Sequence, residues 1–367
     1  MTVLIIYKVL FLGFVILYSN FCPQFFNTSN YLANFHLPLT SVPQVNLEMH
    51  LSTWDAQHYL YLSQFGYKPN TQSCAFLPFW PFIIYLFSKI FLNPYIASLI
   101  VSNTLSLLAG VLYFKFTERL YGLTTARWSL IFLFSFPGAL FFQFPYSESL
   151  FFLLTVLFFI GLLEKKPVLL ALSGLLLPVT RTVGVLLIFP ALYNSLVVER
   201  DWKIGIASTL SIFFGFALLL FVMMLTTGDC FANFHAQERF VSQGSINRLL
   251  SPLSFLTAFQ SVTGMHNQTH SLIDRVLFCV YLSALYPIWK LNKTFFVYSL
   301  LVGFIPVVGN HFMSSTRYLT VVFPMFICAA QYFSDDKRRL FAYLLVMLGL
   351  AVQCFLTLWH IDNCWAG

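Results

Sequence analysis

The chain has 367 residues, of which 59% are hydrophobic and 9% are charged, and its mean hydropathy is +0.79. Charged residues make up about a quarter of a soluble protein, so this composition excludes a water-soluble domain, a disordered chain and a disulfide scaffold. At roughly 20 apolar residues per span, it predicts an all-α polytopic membrane protein. The net charge of +7 comes without a long basic run. We therefore expect no nucleic-acid partner and assign most Lys and Arg residues to membrane orientation.

The first apolar segment extends from Thr2 to Tyr18, contains Lys8 as its one charge, and is followed by no small-residue cleavage site. We interpret it as a retained membrane helix, and the alternative is a cleaved signal peptide. Further apolar segments predict membrane helices at 95–115, 128–144, 149–163, 167–180, 183–198, 204–226, 272–289, 294–309, 317–333 and 339–360. The prediction is thus about eleven transmembrane helices in a single integral membrane domain of residues 1–367.

Segment 76–92 decides the topology, because it is apolar but short and contains two prolines and Lys89. If it does not cross and the N-terminus is inside, most of the 20 basic residues lie in short inner loops, as the positive-inside rule requires. A crossing here would move the later basic loops outside. We therefore predict an interfacial or re-entrant helix within a first outer loop of residues 22–94, and a second large outer loop at 227–270.

Cysteine and histidine spacing gives little sign of a metal centre. Cys22 and Cys74 bracket the first outer loop, and a disulfide between them is one expectation in an oxidising compartment. No C-x-x-C occurs, and His266 and His270 are four residues apart in a loop without helical signals. We expect no metal site and no cofactor, although a requirement for a divalent metal stays open.

The segment from Ser52 to Gly66 predicts a short helix that ends at Gly66. Asp55 lies near its start beside Trp54, at the membrane surface, where partial desolvation suits a general base. The structural alternative is that Ser52 and Asp55 form a capping box, in which the acid only satisfies the helix N-terminus.

Three further charged residues stand in or beside apolar segments. Glu148 is either a first-turn acid favoured by the helix dipole or a second acid on the face of Asp55. Arg181 interrupts an apolar stretch, where an arginine needs an anionic partner or a water-filled cavity. An ion pair with a neighbouring acid and a ligand-binding role are both open for it. Arg317 begins a predicted helix among hydroxyl residues, and it either snorkels to the interface or binds an anion.

Taken in order, these motifs resemble the PIG-V-type mannosyltransferases, which add the second mannose to GPI anchors, and their shorter prokaryotic relatives. The residues that carry the resemblance are Trp54-Asp55-Ala56 with Gly66-Tyr67, Phe76-Leu77-Pro78 with Pro81, Pro137 with Tyr146-Ser147-Glu148-Ser149-Leu150, Thr180-Arg181 with Gly184, and Arg317-Tyr318 with Pro324.

The resemblance implies a GT-C glycosyltransferase fold with an acidic catalytic residue in the first outer loop and a second acid in a later one. Asp55 matches the first acid, and Glu148 lies where the second is expected. It also implies a donor sugar on polyprenyl or dolichyl phosphate. We expect inverting transfer of a hexose, mannose above all, to a lipid-linked or glycan acceptor at the extracytoplasmic face. The rival hypotheses are a transporter or lipid flippase, for which we find no internal repeat, and a non-catalytic membrane subunit.

Each candidate site residue has an expected role. Asp55 is the base, and Glu148 orients the acceptor or stabilises positive charge at the anomeric carbon. The candidates for the donor phosphate are Arg181, Arg317 and His311, and those for substrate contact are Trp54, His58, Tyr146 and Gln237. The expected partners are the donor, the acceptor, membrane lipids and a small membrane subunit. The compact length favours a prokaryotic plasma membrane over the endoplasmic reticulum.

Overall fold

The computed structural model of the protein describes residues 2–34, 44–238, 256–257, 259–309 and 312–367. Within these ranges the chain is helical and forms no strand, which confirms the all-α class. The helices up to the middle of the chain are α1 (Thr2–Phe21), α2 (Thr28–Ala33), α3 (Leu47–Leu51), α4 (Asp55–Phe65), α5 (Phe79–Phe91), α6 (Pro94–Tyr121), α7 (Leu123–Ser135), α8 (Glu148–Leu163) and α9 (Pro167–Thr180). Those that follow are α10 (Ile188–Tyr193), α11 (Trp202–Thr227), α12 (Ala232–Gln237), α13 (Leu272–Leu291), α14 (Lys293–Gly303), α15 (Ile305–Gly309), α16 (Ser315–Thr320), α17 (Pro324–Phe333) and α18 (Arg339–Ile361).

Among the described residues, five helical segments are long and apolar enough to cross a membrane: α1, α6, α11, α13 and the segment Asp336–Ile361 that contains α18. Shorter apolar helices such as α8 and α9 pack between them. The prediction of about eleven spans stays a prediction. Helix α5 has 13 residues, so it is about 20 Å long. That is less than the roughly 30 Å of the hydrocarbon core, as expected of an interfacial helix.

The predicted helix 128–144 is wrong, because α7 ends at Ser135 and a 3-10 segment, Pro137–Phe142, follows it. Proline has no N–H to donate and its ring clashes with the preceding turn, so the helix stops there.

The predicted helix 317–333 is likewise interrupted, between α16 and Pro324 at the start of α17. The predicted helices 294–309 and 183–198 are also broken. The first becomes α14 and α15, and the second becomes a 3-10 segment, α10 and a π-turn.

Buried polar side chains satisfy the carbonyls that the break after α7 releases. Gln353 Nε2 donates to Phe136 O at 2.9 Å. Lys8 Nζ donates to Phe142 O at 3.2 Å and to Gln143 Oε1 at 3.0 Å. A membrane interior offers no water for such groups, so irregular backbone there needs protein partners. Lys8, the one charged residue of the first helix, is therefore buried and binds the irregular segment that follows α7.

Small residues allow close approach at two interfaces. A Cβ on Gly215 of α11 would lie 2.2 Å from Leu175 O of α9, so only glycine permits this packing. A Cβ on Gly138 would lie 2.0 Å from Thr316 O, so the glycine allows the 3-10 segment to pack closely against α16.

The expected disulfide is not present. Cys22 and Cys74 are both free, and the buried Cys74 thiol donates to Lys68 O at 3.2 Å. This thiol therefore serves as a hydrogen-bond donor within the turn that follows α4.

Candidate active site

Asp55 is the first residue of α4, which ends at Gly66 as predicted. Trp54 precedes it with a positive φ of 52° and makes no side-chain cap. The Ser52 hydroxyl donates instead to Glu48 O at 2.6 Å. The capping-box interpretation is therefore wrong, and the Asp55 carboxylate has another partner.

That partner is Arg317, which joins the two candidate acids. Its Nη1 donates to Asp55 Oδ2 at 2.6 Å, while its Nε and Nη2 each lie 2.7 Å from Glu148 Oε1. The residues are 262 and 169 positions apart from Arg317 along the chain. The fold thus brings the first outer segment, the start of α8 and α16 to one point, and the snorkelling interpretation of Arg317 is wrong.

Arg181 completes a cluster of two acids and two arginines, which we name the charged cluster (Asp55, Glu148, Arg181 and Arg317). Its Nη1 pairs with Glu148 Oε1, the same oxygen that Arg317 contacts. Glu148 Oε2 is buried and has no hydrogen-bond partner in the described part of the chain. Formal charges balance within the cluster, yet one carboxylate oxygen is left as a free acceptor.

Exposure within the cluster differs from residue to residue. The Glu148 side chain is completely buried, those of Arg317 and Arg181 are 9% and 11% exposed, and that of Asp55 is 19% exposed. Asp55 is therefore the member that a substrate reaches most directly.

Two hydrogen bonds tie the segments of the acids together. Tyr146 donates its hydroxyl to Thr53 O at 3.1 Å, and the hydroxyls of Tyr59 and Ser147 lie 3.0 Å apart. Burial raises the pKa of Tyr59, so this hydroxyl keeps its proton at neutral pH. These bonds hold the start of α4 beside the start of α8.

Aromatic rings cover both guanidinium groups. Arg317 lies over the rings of Phe141 and Tyr146, with 5.1 and 4.9 Å between Cζ and the ring centroids. Arg181 lies 5.0 Å from the centroid of Tyr318. Such contacts stabilise cations that have lost their water.

The segment after α18 also lies at the site, which the sequence patterns did not reveal. Trp54 Nε1 donates to Cys364 O at 3.0 Å, and its ring meets that of Trp365 edge-on with 5.0 Å between centroids. A Cβ on Gly367 would lie 2.5 Å from Arg317 Cδ. Periodicity and charge give no signal for residues 363–367.

Three other candidate residues have different surroundings. The buried His58 ring stacks on Phe76 at 4.3 Å, and its Nδ1 lies 3.1 Å from Ser73 Oγ. Gln237 is exposed on α12, where its Nε2 donates to Asn233. His311 lies outside the described residues. The substrate roles of all three stay predictions.

The residues described include no group of three or more His, Cys, Asp or Glu side chains arranged to hold a metal ion. In the charged cluster, arginines occupy the positions beside the carboxylates. The acids therefore have cationic partners supplied by the chain itself.

The family model for mannosyltransferase (PIG-V) matches residues 2–189 of the chain. This chain belongs to the PIG-V mannosyltransferase family. The matched region contains Asp55, Glu148 and Arg181, while Arg317 lies beyond it. Among curated proteins the comparison finds no match.

Two solved structures of the oligosaccharyltransferase of Archaeoglobus fulgidus align with the chain, and the first is similar in fold. The complex with zinc and sulfate has a TM-score of 0.52 and 13% sequence identity, and the alignment covers 93% of this chain and 52% of that one. The form tethered to an acceptor peptide with an NVT sequon has a TM-score of 0.47 and 13% identity, and the alignment covers 98% and 55% of the two chains. This PIG-V family member thus spans about half the length of the archaeal enzyme.

Family and fold together establish a coarse identity. The chain is a multi-pass membrane protein of a mannosyltransferase family and has a GT-C fold, as the motif order predicted. The family match favours a glycosyltransferase over the hypotheses of a transporter and of a non-catalytic subunit.

Proposed function

We propose that this protein transfers a hexose, most specifically mannose, from a polyprenyl- or dolichyl-phosphate donor to a hydroxyl of a lipid-linked or glycan acceptor. The observation that carries the proposal is the charged cluster, in which the partly exposed Asp55 carboxylate pairs with the buried Arg317, and Arg181 joins through Glu148. Transfer proceeds with inversion at the extracytoplasmic face, and a prokaryotic plasma membrane is the proposed location. Membrane lipids surround the enzyme, and a small membrane subunit is a further candidate partner.

Asp55 is the proposed general base. The acceptor hydroxyl loses its proton to Asp55 while its oxygen forms a bond to C1 of the sugar. The bond between C1 and the phosphate oxygen breaks, and its electron pair leaves with the lipid phosphate. Asp55 suits this step because its side chain is the most exposed of the cluster and Arg317 holds only its Oδ2 in place.

The two arginines receive different tasks in this proposal. Arg317 already directs Nε, Nη1 and Nη2 to carboxylates, so it fixes the two acids relative to each other. Arg181 has Glu148 as its one carboxylate partner among the described residues, which leaves donors for an incoming phosphate. Arginine is well suited to this, because its planar fork offers paired donors to phosphate oxygens.

Glu148 Oε2 is the proposed contact for a sugar or acceptor hydroxyl. A buried carboxylate oxygen without a donor is costly to maintain. A substrate hydroxyl would remove that cost on binding. The same negative charge would oppose the positive charge that develops at C1.

The test is transfer of labelled mannose from polyprenyl-phosphate mannose to a panel of candidate acceptors by the purified protein. We expect Asp55→Asn to fold and to lose nearly all transfer, since a positioned base contributes about 10²–10⁴-fold. Glu48→Gln is the matched control, because this acid lies in the same outer segment and accepts from Asn93 rather than from the cluster.

Two outcomes would count against the proposal. Near-normal turnover by Asp55→Asn would show that another group takes the proton. Absence of transfer by the unaltered protein, with every donor and acceptor supplied in its lipid environment, would reject the mannose donor itself.

A further inference from the structure

Asp274 is a buried acid that lies outside the charged cluster. It is the third residue of α13, and the residue is 1% exposed. Its Oδ1 accepts a hydrogen bond from the backbone N–H of Thr316 at 3.2 Å. Thr316 immediately precedes Arg317, so this carboxylate holds the backbone one residue before the arginine that joins the two acids.

Helix α16, which carries Arg317, is short. It has six residues, and Ser314 before it adopts a left-handed conformation with φ of 63°. Two other segments contact the backbone N–H and C=O of Thr316. The Thr316 N–H donates to Asp274 Oδ1, while Thr316 O lies against the backbone of Gly138.

Asp274 is itself fixed by the turn before α13. The Ser271 hydroxyl caps the helix by accepting from Asp274 N at 3.2 Å, and it lies 2.8 Å from His266 Nδ1. Arg275 binds the same turn by donating to Ser271 O and Phe259 O. The position of the carboxylate is therefore determined by the end of the second outer loop.

We infer that Asp274 is a positioning residue for glycosyl transfer, which acts by holding the Thr316 peptide so that the Arg317 guanidinium meets both acids. The inference rests on the proposed function of the charged cluster. It connects the end of the second large outer loop to the chemistry through Asp274 and Thr316.

The test compares two substitutions at this position in the transfer assay. Asp274→Ala removes the acceptor, and we expect a loss in kcat of about 10- to 100-fold with little change in KM for the donor, as expected of a small displacement of a catalytic group. Asp274→Asn keeps an acceptor oxygen of the same shape and should retain most of the activity. Asp229→Ala is the control, because this exposed carboxylate also accepts a backbone N–H, that of Phe231.

A double-mutant cycle separates positioning from general damage. The substitution Arg317→Lys removes the guanidinium group that Asp274 positions. In that background Asp274→Ala should therefore lower kcat little further. Full additivity of the two losses would overturn the inference. So would equal activity of Asp274→Ala and the unaltered protein, or an equal loss in Asp274→Asn.

Asp274→Glu provides a second route if Asp274→Ala does not fold. It keeps the charge and the acceptor but displaces the oxygen by one methylene, and we expect normal yield with lowered kcat. Unchanged kcat in a folded Asp274→Glu protein would overturn the inference. Failure of the unaltered protein to transfer sugar would reject the proposed function, whereas full activity of the Asp274 variants beside an active unaltered protein would reject only the positioning role.

Discussion

Glu148 holds two arginines with a single carboxylate oxygen and leaves the other oxygen without a donor. A buried ion pair seldom stabilises a fold beyond what apolar residues would achieve, because removing the charges from water is costly. The cluster instead gathers two acids and two arginines from four separate segments of the chain. Its occurrence at one point, with one partly exposed acid, is better explained by chemistry than by stability.

The two arginines should therefore differ in kinetics. We expect Arg181→Ala to raise KM for the donor by about 10- to 100-fold, since a charge-assisted hydrogen bond contributes about 1.5–3 kcal/mol. Steady-state assays with varied donor concentration measure this, with Arg119→Ala, a surface partner of Glu164, as control. Unchanged donor affinity together with a lower yield of folded protein would favour the purely structural ion pair.

At the scale of elements, the break after α7 positions the site. The Pro137–Phe142 segment brings the Phe141 ring under Arg317 and leads the chain to Glu148 at the start of α8. A continuous helix through this region would carry Glu148 elsewhere. We therefore expect the polar side chains that bind its carbonyls, Gln353 and Lys8, to matter for function.

Gln353→Leu tests the role of these side chains. It removes the side-chain donor to Phe136 O and Phe134 O and the acceptor of the Tyr7 hydroxyl, while Phe136 O keeps the backbone N–H of Ala139. We expect a loss of about 1–3 kcal/mol in the free energy of unfolding, and faster hydrogen exchange in residues 137–142. Gln64→Leu is the control, because Gln64 donates within its own helical turn. Protection in 137–142 that matches the unaltered protein would argue against this account.

At the scale of the whole molecule, the fold joins outer segments that are far apart in sequence into one site. The positive-inside prediction places residues 22–94 and 227–270 on the same side of the membrane. The contact between Asn233 and Cys74 O is what this arrangement requires. The side of the membrane itself stays a prediction.

Labelling of single cysteines tests that topology. In a cysteine-free background and sealed cells, a membrane-impermeant maleimide should label Asn70→Cys but label Lys337→Cys only after the membrane is opened. Both positions are exposed in the structure, so accessibility to the reagent depends on the side of the membrane. Labelling of both residues in sealed cells would mean that segment 76–92 crosses.

Different parts of this molecule were predictable to different degrees. The apolar runs predict α6, α9 and α11 closely, because hydrophobicity and end signals such as Asn93 with Pro94 act locally. The breaks at Pro137 and Pro324 were missed, since a run of apolar residues looks continuous until tertiary partners for its carbonyls are known.

The site was predictable as residue types but not as geometry. Motif order placed Asp55, Glu148 and Arg181 among the candidates, and the family match covers all three. The sharing of Glu148 Oε1, the contacts of Trp365 and the position of Asp274 depend on contacts between residues distant in sequence. No spacing pattern in the chain encodes them.

The equal number of acids and arginines in the cluster has a consequence for the energetics of turnover. In the proposed reaction a donor phosphodiester brings one negative charge into a site that is neutral. Transfer then moves a proton onto Asp55 while the leaving phosphate gains a second negative charge, so the formal charge of the occupied site is the same before and after. A reaction at the edge of a low-dielectric membrane therefore creates no net charge during the chemical step. The electrostatic free-energy cost arises instead during product release, when the phosphate leaves and Asp55 returns its proton to water.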